Sequence, residues 1–343
     1  MERYIAVDNV CAWPNLTLMR DGRVIATVFN QPCHGHWEGD VECWESADGG
    51  RTWKLCGIPA THEPGTNRMN VAAGLAGNGD LIVIASGWSD RPPRGESRPG
   101  PKFGPNAQVL PSWVCRSSDG GRTWTHEQER FPAPEGDAGI VPFGKIIRLP
   151  DGTLAVSGYS FREKDERKER SHLLSSRDDG GTWGRHVLIG APINETDVLH
   201  VGGERLIAVG RTRPDARLDL FESDDLGRTW RRVGPLSGPS EHPGHLLGLR
   251  DGRVLLTYGV RRQNCRGIAA RLSDDGGRTW SVPTTLLHLE GAADCGYPSS
   301  VQLDDETIVT AYYASGVAAH TRYHMGVIRW RPDEFFRVNR AAS

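Results

Sequence analysis

The sequence has no long apolar run, no strong excess of either charge and no leader-like start. No stretch approaches the roughly 18 apolar residues that a membrane-spanning helix needs. The formal net charge of the 343 residues is only -2, which argues against a general nucleic-acid or membrane-surface binder. The first ten residues lack the apolar core of a secretory signal. We therefore expect a cytoplasmic protein with neither a membrane nor a nucleic-acid partner.

The cysteines are few, and their spacing pairs none of them. All seven are scattered along the chain, and no two form a Cys-x-x-Cys motif. An odd number in a chain of this length is typical of reduced thiols rather than of a disulfide framework. No known zinc spacing occurs either, so the sequence predicts no metal and no cofactor.

Turn residues, by contrast, are abundant: the chain has 42 glycines and 22 prolines, and 37% of its residues are hydrophobic. This composition favours many short strands over long helices. One eight-residue pattern, Ser-x-Asp-x-Gly-x-Thr-Trp, occurs five times, and its copies begin at Ser46, Ser117, Ser176, Ser223 and Ser273. Repeats separated by several tens of residues are typical of propeller blades and other arrays.

The repeated pattern has the chemistry of a tight turn. Its Asp side chain can accept hydrogen bonds from backbone N–H groups of the same turn. Its Gly supplies a positive φ, and its Trp offers a large apolar face. The aspartates of the five copies are Asp48, Asp119, Asp178, Asp225 and Asp275. We predict that each turn joins the third strand of a blade to the fourth.

A second repeat is a hairpin, in which an apolar run, a tight turn and an alternating run follow one another six times. The first copy is "TLMRDGRVIATVF" and the last is "VQLDDETIVTAYY". Five copies precede an Asp turn, and the N-terminal "RYIAV" can complete the last unit. We predict an all-β fold, a six-bladed β-propeller with four-stranded antiparallel blades, as a single domain over residues 1–343. Residues 87–108 and 161–172 are predicted loops.

The Asp turns build one face of this propeller, so we expect function on the opposite face. That face is formed by the starts of the first strands and by the loops after the second strands. Aligning the six hairpins gives equivalent residues at the first-strand starts: Trp13, Asn70, Phe143, Glu195, Pro243 and Tyr297. Two residues further on come Asn15, Ala72, Lys145, Asp197, His245 and Ser299. Polar and aromatic side chains at these inward positions predict a working channel.

The five turns match the Asp-box, so the chain resembles the sialidase superfamily. The resemblance implies a Tyr nucleophile paired with a Glu, an Asp acid/base, and arginines that bind a substrate carboxylate. "INETDVL" is similar to the segment that carries the Glu, which implies Glu195, and "CGYPSSVQL" is similar to the Tyr segment, which implies Tyr297. "HWEGDVECWES" resembles the acid/base segment, which implies Asp40, with Glu38 as a second choice.

The same resemblance implies carboxylate-binding arginines. Arg211 lies where the second is expected, and Arg261 or Arg262 lies near the third. At "CAWPNL" the chain departs from the family pattern, because Ala12 stands where the first arginine is expected. One of three clamps is therefore missing, and a planar bidentate Arg contact is a large part of carboxylate recognition.

Histidines and tryptophans add further candidates on the predicted functional face. The histidines there are His34, His36, His242, His245, His320 and His324. Imidazole can transfer protons near neutral pH, and an aromatic face can pack on a sugar ring. The predicted substrate contacts, besides the arginines, are Asn15, His34, His36, Trp37, Trp88 and His245.

The residues leave three functions open. The first is an exo-acting glycoside hydrolase of sialidase-like type, which cleaves a terminal acidic sugar from a glycan. The second is a polysaccharide lyase acting on a uronate-containing glycan, which the histidine surplus and the missing arginine favour. The third is a non-catalytic glycan-binding propeller. The dense ionisable set in the channel favours an enzyme. The predicted partner is a carbohydrate, and the sequence does not indicate an oligomeric state.

Overall fold

A computed structural model of the protein describes residues 1–96, 106–161, 168–213, 215–317 and 320–336. Over these residues the chain is almost entirely β-strand, and helix is limited to short 3-10 turns such as Pro332–Glu334. The strands of the described part form five sheets, four with four strands and one with eight. The all-β prediction is confirmed. Parts of both predicted loops, residues 97–105 and 162–167, lie outside the described residues.

Three of the four-stranded sheets are simple antiparallel meanders of consecutive strands. The first contains β2 (Cys11–Leu18), β3 (Val24–Phe29), β4 (Val41–Ser46) and β5 (Lys54–Ala60). The second contains β14 (Ile193–Gly202), β15 (Arg205–Thr212), β16 (Leu218–Ser223) and β17 (Arg231–Pro235). The third contains β18 (Glu241–Gly248), β19 (Val254–Val260), β20 (Gly267–Ser273) and β21 (Thr284–His288).

The fourth four-stranded sheet closes the molecule by joining the two ends of the described chain. It contains β22 (Gly296–Gln302), β23 (Ile308–Val317), β24 (His320–Trp330) and β1 (Glu2–Asp8). Strand β1 pairs antiparallel with β24, with Tyr4 opposite Val327. The prediction that "RYIAV" completes the last unit is confirmed. This sheet has no Asp turn because no loop connects its third strand to its fourth.

The eight-stranded sheet consists of two meanders that meet through their first strands. One contains β6 (Asn70–Leu75), β7 (Leu81–Ser86), β8 (Trp113–Ser117) and β9 (Thr125–Glu127). The other contains β10 (Gly139–Arg148), β11 (Leu154–Phe161), β12 (Arg170–Ser176) and β13 (Gly184–Gly190). Strands β6 and β10 pair in parallel at Ala72 with Gly144 and at Ala73 with Lys145.

The sheet count therefore differs from the predicted six separate four-stranded blades. Four sheets stand alone, and the second and third predicted units share one ladder. The physical reason is the small size of the residues at the contact. Ala72, Ala73 and Gly144 let the two inner strands approach to hydrogen-bonding distance.

The first strands β2, β6, β10, β14, β18 and β22 form a closed ring around the axis, each in contact with the next. The core lies between neighbouring sheets. Val24 and Val28 of β3 pack with Val309 of β23, whereas Ile25 points to the other side and packs with Leu81 of β7. Burying one such side chain stabilises the fold by roughly 1.5–3 kcal/mol. The period of two along each strand thus connects each sheet to both neighbours.

The five Asp turns all lie between a third and a fourth strand, as predicted, and share one geometry. In each turn the Thr backbone N–H donates to the Asp Oδ1 at 2.9–3.0 Å, and the Thr hydroxyl donates to Oδ2 at 2.6–2.7 Å. The glycine at the fifth position has φ between 80° and 96° in every copy. The predicted turn chemistry is confirmed, and the Asp turn is a structural element.

Candidate active site

A cavity of about 1990 Å³ opens at the end of the ring where the first strands begin. All six residues that the hairpin alignment made equivalent line it: Trp13, Asn70, Phe143, Glu195, Pro243 and Tyr297. The loops after the second strands add His34, Trp88 and Arg261 to its wall. The cavity therefore lies on the face of the propeller where the sequence predicted function.

Local backbone geometry turns three of these side chains toward the axis. Trp13, Glu195 and Tyr297 have φ values of 32°, 39° and 48°, although none is a glycine. Each lies within a register shift of the ladder between its first and second strand. A bulge of this kind re-aims a side chain. Such strained backbone costs on the order of 1–3 kcal/mol per residue and marks functional sites more often than chance.

Tyr297, Glu195 and Arg211 form the central contact of the cavity. The Tyr297 hydroxyl donates to Glu195 Oε1, and Arg211 Nη1 donates to Glu195 Oε2 at 2.8 Å. Tyr297 is 8% exposed and Glu195 7%, so both are buried. The sequence resemblance pairs Tyr297 with Glu195 and makes Arg211 a substrate contact, and in the structure Glu195 bonds both of the others.

The charge states of this contact follow from its surroundings. Burial acts to raise the pKa of Glu195, but the Arg211 guanidinium and the Tyr297 hydrogen bond lower it to about 2. Burial and the adjacent Glu195 charge raise the pKa of Tyr297 well above its usual value. At neutral pH the pair is a phenol whose proton already points at a carboxylate. Such an arrangement prepares the phenol oxygen to act as a nucleophile.

Arg261 is a cation that contacts the Tyr297 ring directly. Its guanidinium lies 5.2 Å from the Tyr297 ring centroid, and its Nη2 donates to the Tyr313 hydroxyl at 3.2 Å. Its Nη1 is 3.8 Å from Asp294 Oδ1. The neighbouring Arg262 does not line the cavity, because it pairs with Glu241 at 2.8 Å on the exposed side of the chain. Of the two alternatives left by the sequence, only Arg261 can meet a ligand in the cavity.

Asp294 accepts hydrogen bonds from several side chains beside Tyr297. The sequence did not predict it as a site residue. Its Oδ2 accepts from His34 Nδ1 at 2.7 Å and from the Tyr323 hydroxyl at 2.7 Å. Burial acts to raise the pKa of Asp294, but the bonds from His34, Tyr313 and Tyr323 hold it well below its usual range. The only signal in the sequence was its position three residues before Tyr297, in the loop between β21 and β22.

The floor of the cavity is a buried ion pair on the axis. Lys145 Nζ lies 2.5 Å from Asp197 Oδ2, which also accepts from the Leu246 backbone N–H at 2.7 Å. Asp197 is 1% exposed. Asn15 and His245 line the floor beside it, and burial lowers the pKa of His245 to about 4, so this imidazole is neutral at pH 7. The floor is thus polar, and Asn15 Oδ1, Asp197 Oδ1 and His245 Nδ1 are buried there without a hydrogen-bond partner among the described residues.

The prediction that Asp40 acts at the site is not supported by its position. Asp40 does not line the cavity; it accepts from the His62 backbone N–H at 2.8 Å and lies 2.6 Å from His62 Nδ1. Its own N–H donates to Asn30 Oδ1 at 2.9 Å. Asp40 therefore stabilises the end of the loop between β3 and β4, and His34 is the residue of that loop that lines the cavity. The second choice, Glu38, accepts from the Gly65 N–H and is also outside the cavity wall.

Of the remaining predicted substrate contacts, some line the cavity and others do not. Trp88 lines the cavity, donates to Asn70 Oδ1 at 3.2 Å and stacks on Phe161 with an interplanar angle of 3°. Trp37 donates to the Glu96 carbonyl at 2.9 Å, and neither it nor the exposed His36 lines the cavity. His242 and His324 are buried, and neither lines the cavity. The His320 side chain lies outside the described residues.

The described residues contain no group of three His, Cys, Asp or Glu side chains placed to hold a metal ion. No helix in the described part of the chain is long and apolar enough to cross a membrane. All seven cysteines lie in the described part of the chain, and no disulfide joins any two of them there. Arg213, which sequence reasoning did not select, lies in the cavity wall and pairs with Glu169 at 2.9 Å.

The chain matches one family model and is similar in sequence to known sialidases. The family model for the BNR repeat-like domain matches residues 100–310. A sialidase of Clostridium perfringens is 24% identical over 244 residues, which cover 66% of this chain and 61% of that protein. A sialidase of Micromonospora viridifaciens is 25% identical over 312 residues, which cover 82% of this chain and 47% of that protein. The chain thus spans about half to three-fifths of these relatives.

Among solved structures, a Dyadobacter fermentans protein of unknown function superposes with a TM-score of 0.79. It is 23% identical, and the match covers 96% of this chain and 97% of that chain. At this identity the likeness supports the propeller fold alone.

Proposed function

Since the chain belongs to the BNR repeat-like domain family and is a propeller of the sialidase superfamily, we propose that it is an exo-acting glycoside hydrolase of sialidase-like type. The observation that carries the proposal is the direct contact between Tyr297 and Glu195 at the wall of the cavity. We also count the eight-stranded sheet as two blades, which gives the six-bladed propeller that six inner strands imply.

In this reaction Tyr297 is the nucleophile. Its oxygen attacks the anomeric carbon of the terminal sugar while its proton passes to Glu195 Oε1, and the bond to the leaving oxygen breaks as that oxygen takes a proton from a general acid. Water then attacks the same carbon and gives a proton to the conjugate base of that acid, and the bond to Tyr297 breaks as the tyrosine proton returns from Glu195. A Tyr nucleophile is a recognised variant of the two-carboxylate scheme of glycosidases. Splitting one displacement into two lowers the barrier of each.

Arg211 and Arg261 support an acidic sugar as the substrate. Both guanidinium groups line the cavity, on either side of Tyr297 in the contact network. A substrate carboxylate between them would gain two charge-assisted interactions. With Ala12 at the position of the expected first arginine, the acid group has two clamps rather than three.

The shape of the cavity supports attack at a chain end. Residues from all six inner strands surround it, so a ligand enters from one side and stops at the Lys145–Asp197 floor. A cavity closed at one end admits the end of a glycan chain, whereas cleavage inside a polysaccharide requires an open groove. An exo-acting enzyme fits this geometry.

The test is product analysis by mass spectrometry on sialylated and uronate-containing oligosaccharides. We expect release of a terminal acidic sugar with one water added, lost in Tyr297→Phe. The matched control is Tyr312→Phe, which removes a buried hydroxyl that bonds Arg3 away from the cavity and leaves turnover unchanged. A product with a new double bond would establish a lyase instead, and binding without turnover would establish a non-catalytic propeller.

A further inference from the structure

The loop between β3 and β4 brings one imidazole, His34, into the cavity wall. Its ring packs edge-on against Trp13, with centroids 4.6 Å apart. The same indole contacts the Tyr297 ring at 6.2 Å. His34 and the proposed nucleophile therefore share one aromatic neighbour.

The other acidic and imidazole groups of the cavity wall are engaged elsewhere. Four carboxylates line the described part of the wall, and each bonds a basic side chain: Glu169 with Arg213, Glu195 with Arg211, Asp197 with Lys145 and Asp294 with His34. His245, which also lines the cavity, is neutral at pH 7 because burial lowers its pKa. A leaving group near Tyr297 needs a proton donor, and His34 is the remaining imidazole in the described part of the wall.

Asp294 gives His34 the properties that this role requires. The bond from Nδ1 to the carboxylate fixes the ring orientation and places a negative charge beside it. An adjacent carboxylate favours the protonated imidazole. Nδ1 is committed to Asp294, so Nε2 is the nitrogen that can exchange a proton with a ligand. Asp294 is itself held by the hydroxyls of Tyr313 and Tyr323.

We propose that His34 is the general acid and base of the glycosidase reaction, oriented by Asp294 as a positioning residue. This proposal rests on the proposed function. In the first step the imidazolium gives its Nε2 proton to the leaving oxygen as the glycosidic bond breaks. In the second step the neutral imidazole takes a proton from the attacking water, which restores the imidazolium. The role that the sequence resemblance gave to Asp40 passes to a different residue of the same loop.

The experiment compares leaving groups. The substrates are the 4-nitrophenyl and methyl glycosides of N-acetylneuraminic acid and of glucuronic acid. In His34→Gln, kcat/KM for the methyl glycoside falls about 10²–10⁴-fold, as loss of a general acid predicts. For the 4-nitrophenyl glycoside it falls about tenfold or less, because 4-nitrophenolate departs without a proton. Asp294→Asn shows the same pattern to a smaller degree.

The matched control is Asp40→Asn, which alters the same loop without touching the cavity. It lowers kcat/KM for both leaving groups by the same factor. A second readout uses His34→Ala with added azide, an anionic nucleophile that needs no base. Azide accelerates turnover of the aryl glycoside by this variant and yields a glycosyl azide, whereas wild type does not respond.

Equal losses on both substrates in His34→Gln would overturn the proposal and make His34 a binding or structural residue. A leaving-group dependence in Asp40→Asn instead would assign the acid to Asp40. A wild type inactive on all four glycosides and on the oligosaccharides would remove the proposed function together with this role. If wild type is active but His34→Gln loses kcat/KM equally on both leaving groups, only the acid/base role of His34 is overturned.

Discussion

The two ends of the propeller use carboxylates in opposite ways. At the Asp-turn end, Asp225 bonds Ser223, Arg228 and Thr229, all within four residues of itself. At the cavity end, Glu195 bonds Arg211 and Tyr297, which are 16 and 102 residues away. A carboxylate that is satisfied within its own turn stabilises local structure. A carboxylate that depends on distant strands is assembled only by the complete fold.

The pKa values show the same contrast through different causes. Burial acts to raise the pKa of Asp225, but the Thr229 and Ser223 hydrogen bonds lower it to about 2. Glu195 reaches a similar value because an arginine from a neighbouring strand faces it. Turn geometry fixes the first charge, and tertiary packing fixes the second. Substitutions at the two ends should therefore affect different properties.

The largest effect is expected at the cavity floor. Lys145→Met leaves the Asp197 charge buried without its partner, and breaking such a pair costs about 3–5 kcal/mol of the free energy of unfolding. Urea denaturation measures this loss. The double variant Lys145→Met/Asp197→Asn should recover most of it, since the Asn oxygen still accepts the Leu246 N–H. A loss below about 1 kcal/mol in the single variant would show that the floor is not held by this pair.

A sharper comparison uses two adjacent arginines. Arg261→Lys loses the planar contact with Tyr297 and Tyr313, and we expect KM for an acidic substrate to rise about 10–100-fold, the equivalent of one charged hydrogen bond. Arg262→Lys, one residue along, keeps its exposed pair with Glu241 and should leave KM within about twofold. Steady-state kinetics on both variants provide the measurement. Equal changes in the two would contradict the placement of Arg261 as the clamp.

The smallest effect is expected at the Asp turns. Asp225→Ala removes the hydrogen bonds of one turn and should lower the free energy of unfolding by about 1–2 kcal/mol. The value of kcat/KM should stay unchanged, because the turn lies at the end away from the cavity. Asp224→Ala, at the neighbouring exposed position, serves as the control with no effect on either quantity. A fall in kcat/KM without a fall in stability would give the turn a role in function.

Much of the fold could be predicted because its determinants are local. The Ser, Asp, Gly and Thr of each turn carry the whole geometry within eight residues, so five copies locate five strand pairs. The merger of two units into one sheet could not be predicted, since it depends on how closely Ala72 and Gly144 approach between neighbouring inner strands. The single-domain organisation and the cytoplasmic location stay predictions.

The candidate site shows the same difference between residues set by local patterns and residues set by long-range contacts. The position of Glu195 and Tyr297 in the cavity wall could be predicted because the hairpin repeat fixes it on the inner strands. Asp40 does not line the cavity, because the path of a loop does not follow from spacing. His34, six residues earlier, enters the cavity instead, and its partner Asp294 comes from a loop 260 residues away. Contacts between loops form only when the ring closes, so they cannot be predicted from a local sequence pattern.

The central claim is that Tyr297 attacks the sugar. The most direct measurement is peptide mass spectrometry after incubation with a 2,3-difluoro analogue of the acidic sugar, in which fluorine slows the second step and preserves the covalent intermediate. The account predicts one added glycosyl group on the peptide that contains Tyr297, and no such mass in Tyr297→Phe. Turnover of the natural substrate with Tyr297 unmodified, or an adduct on another residue, would contradict it.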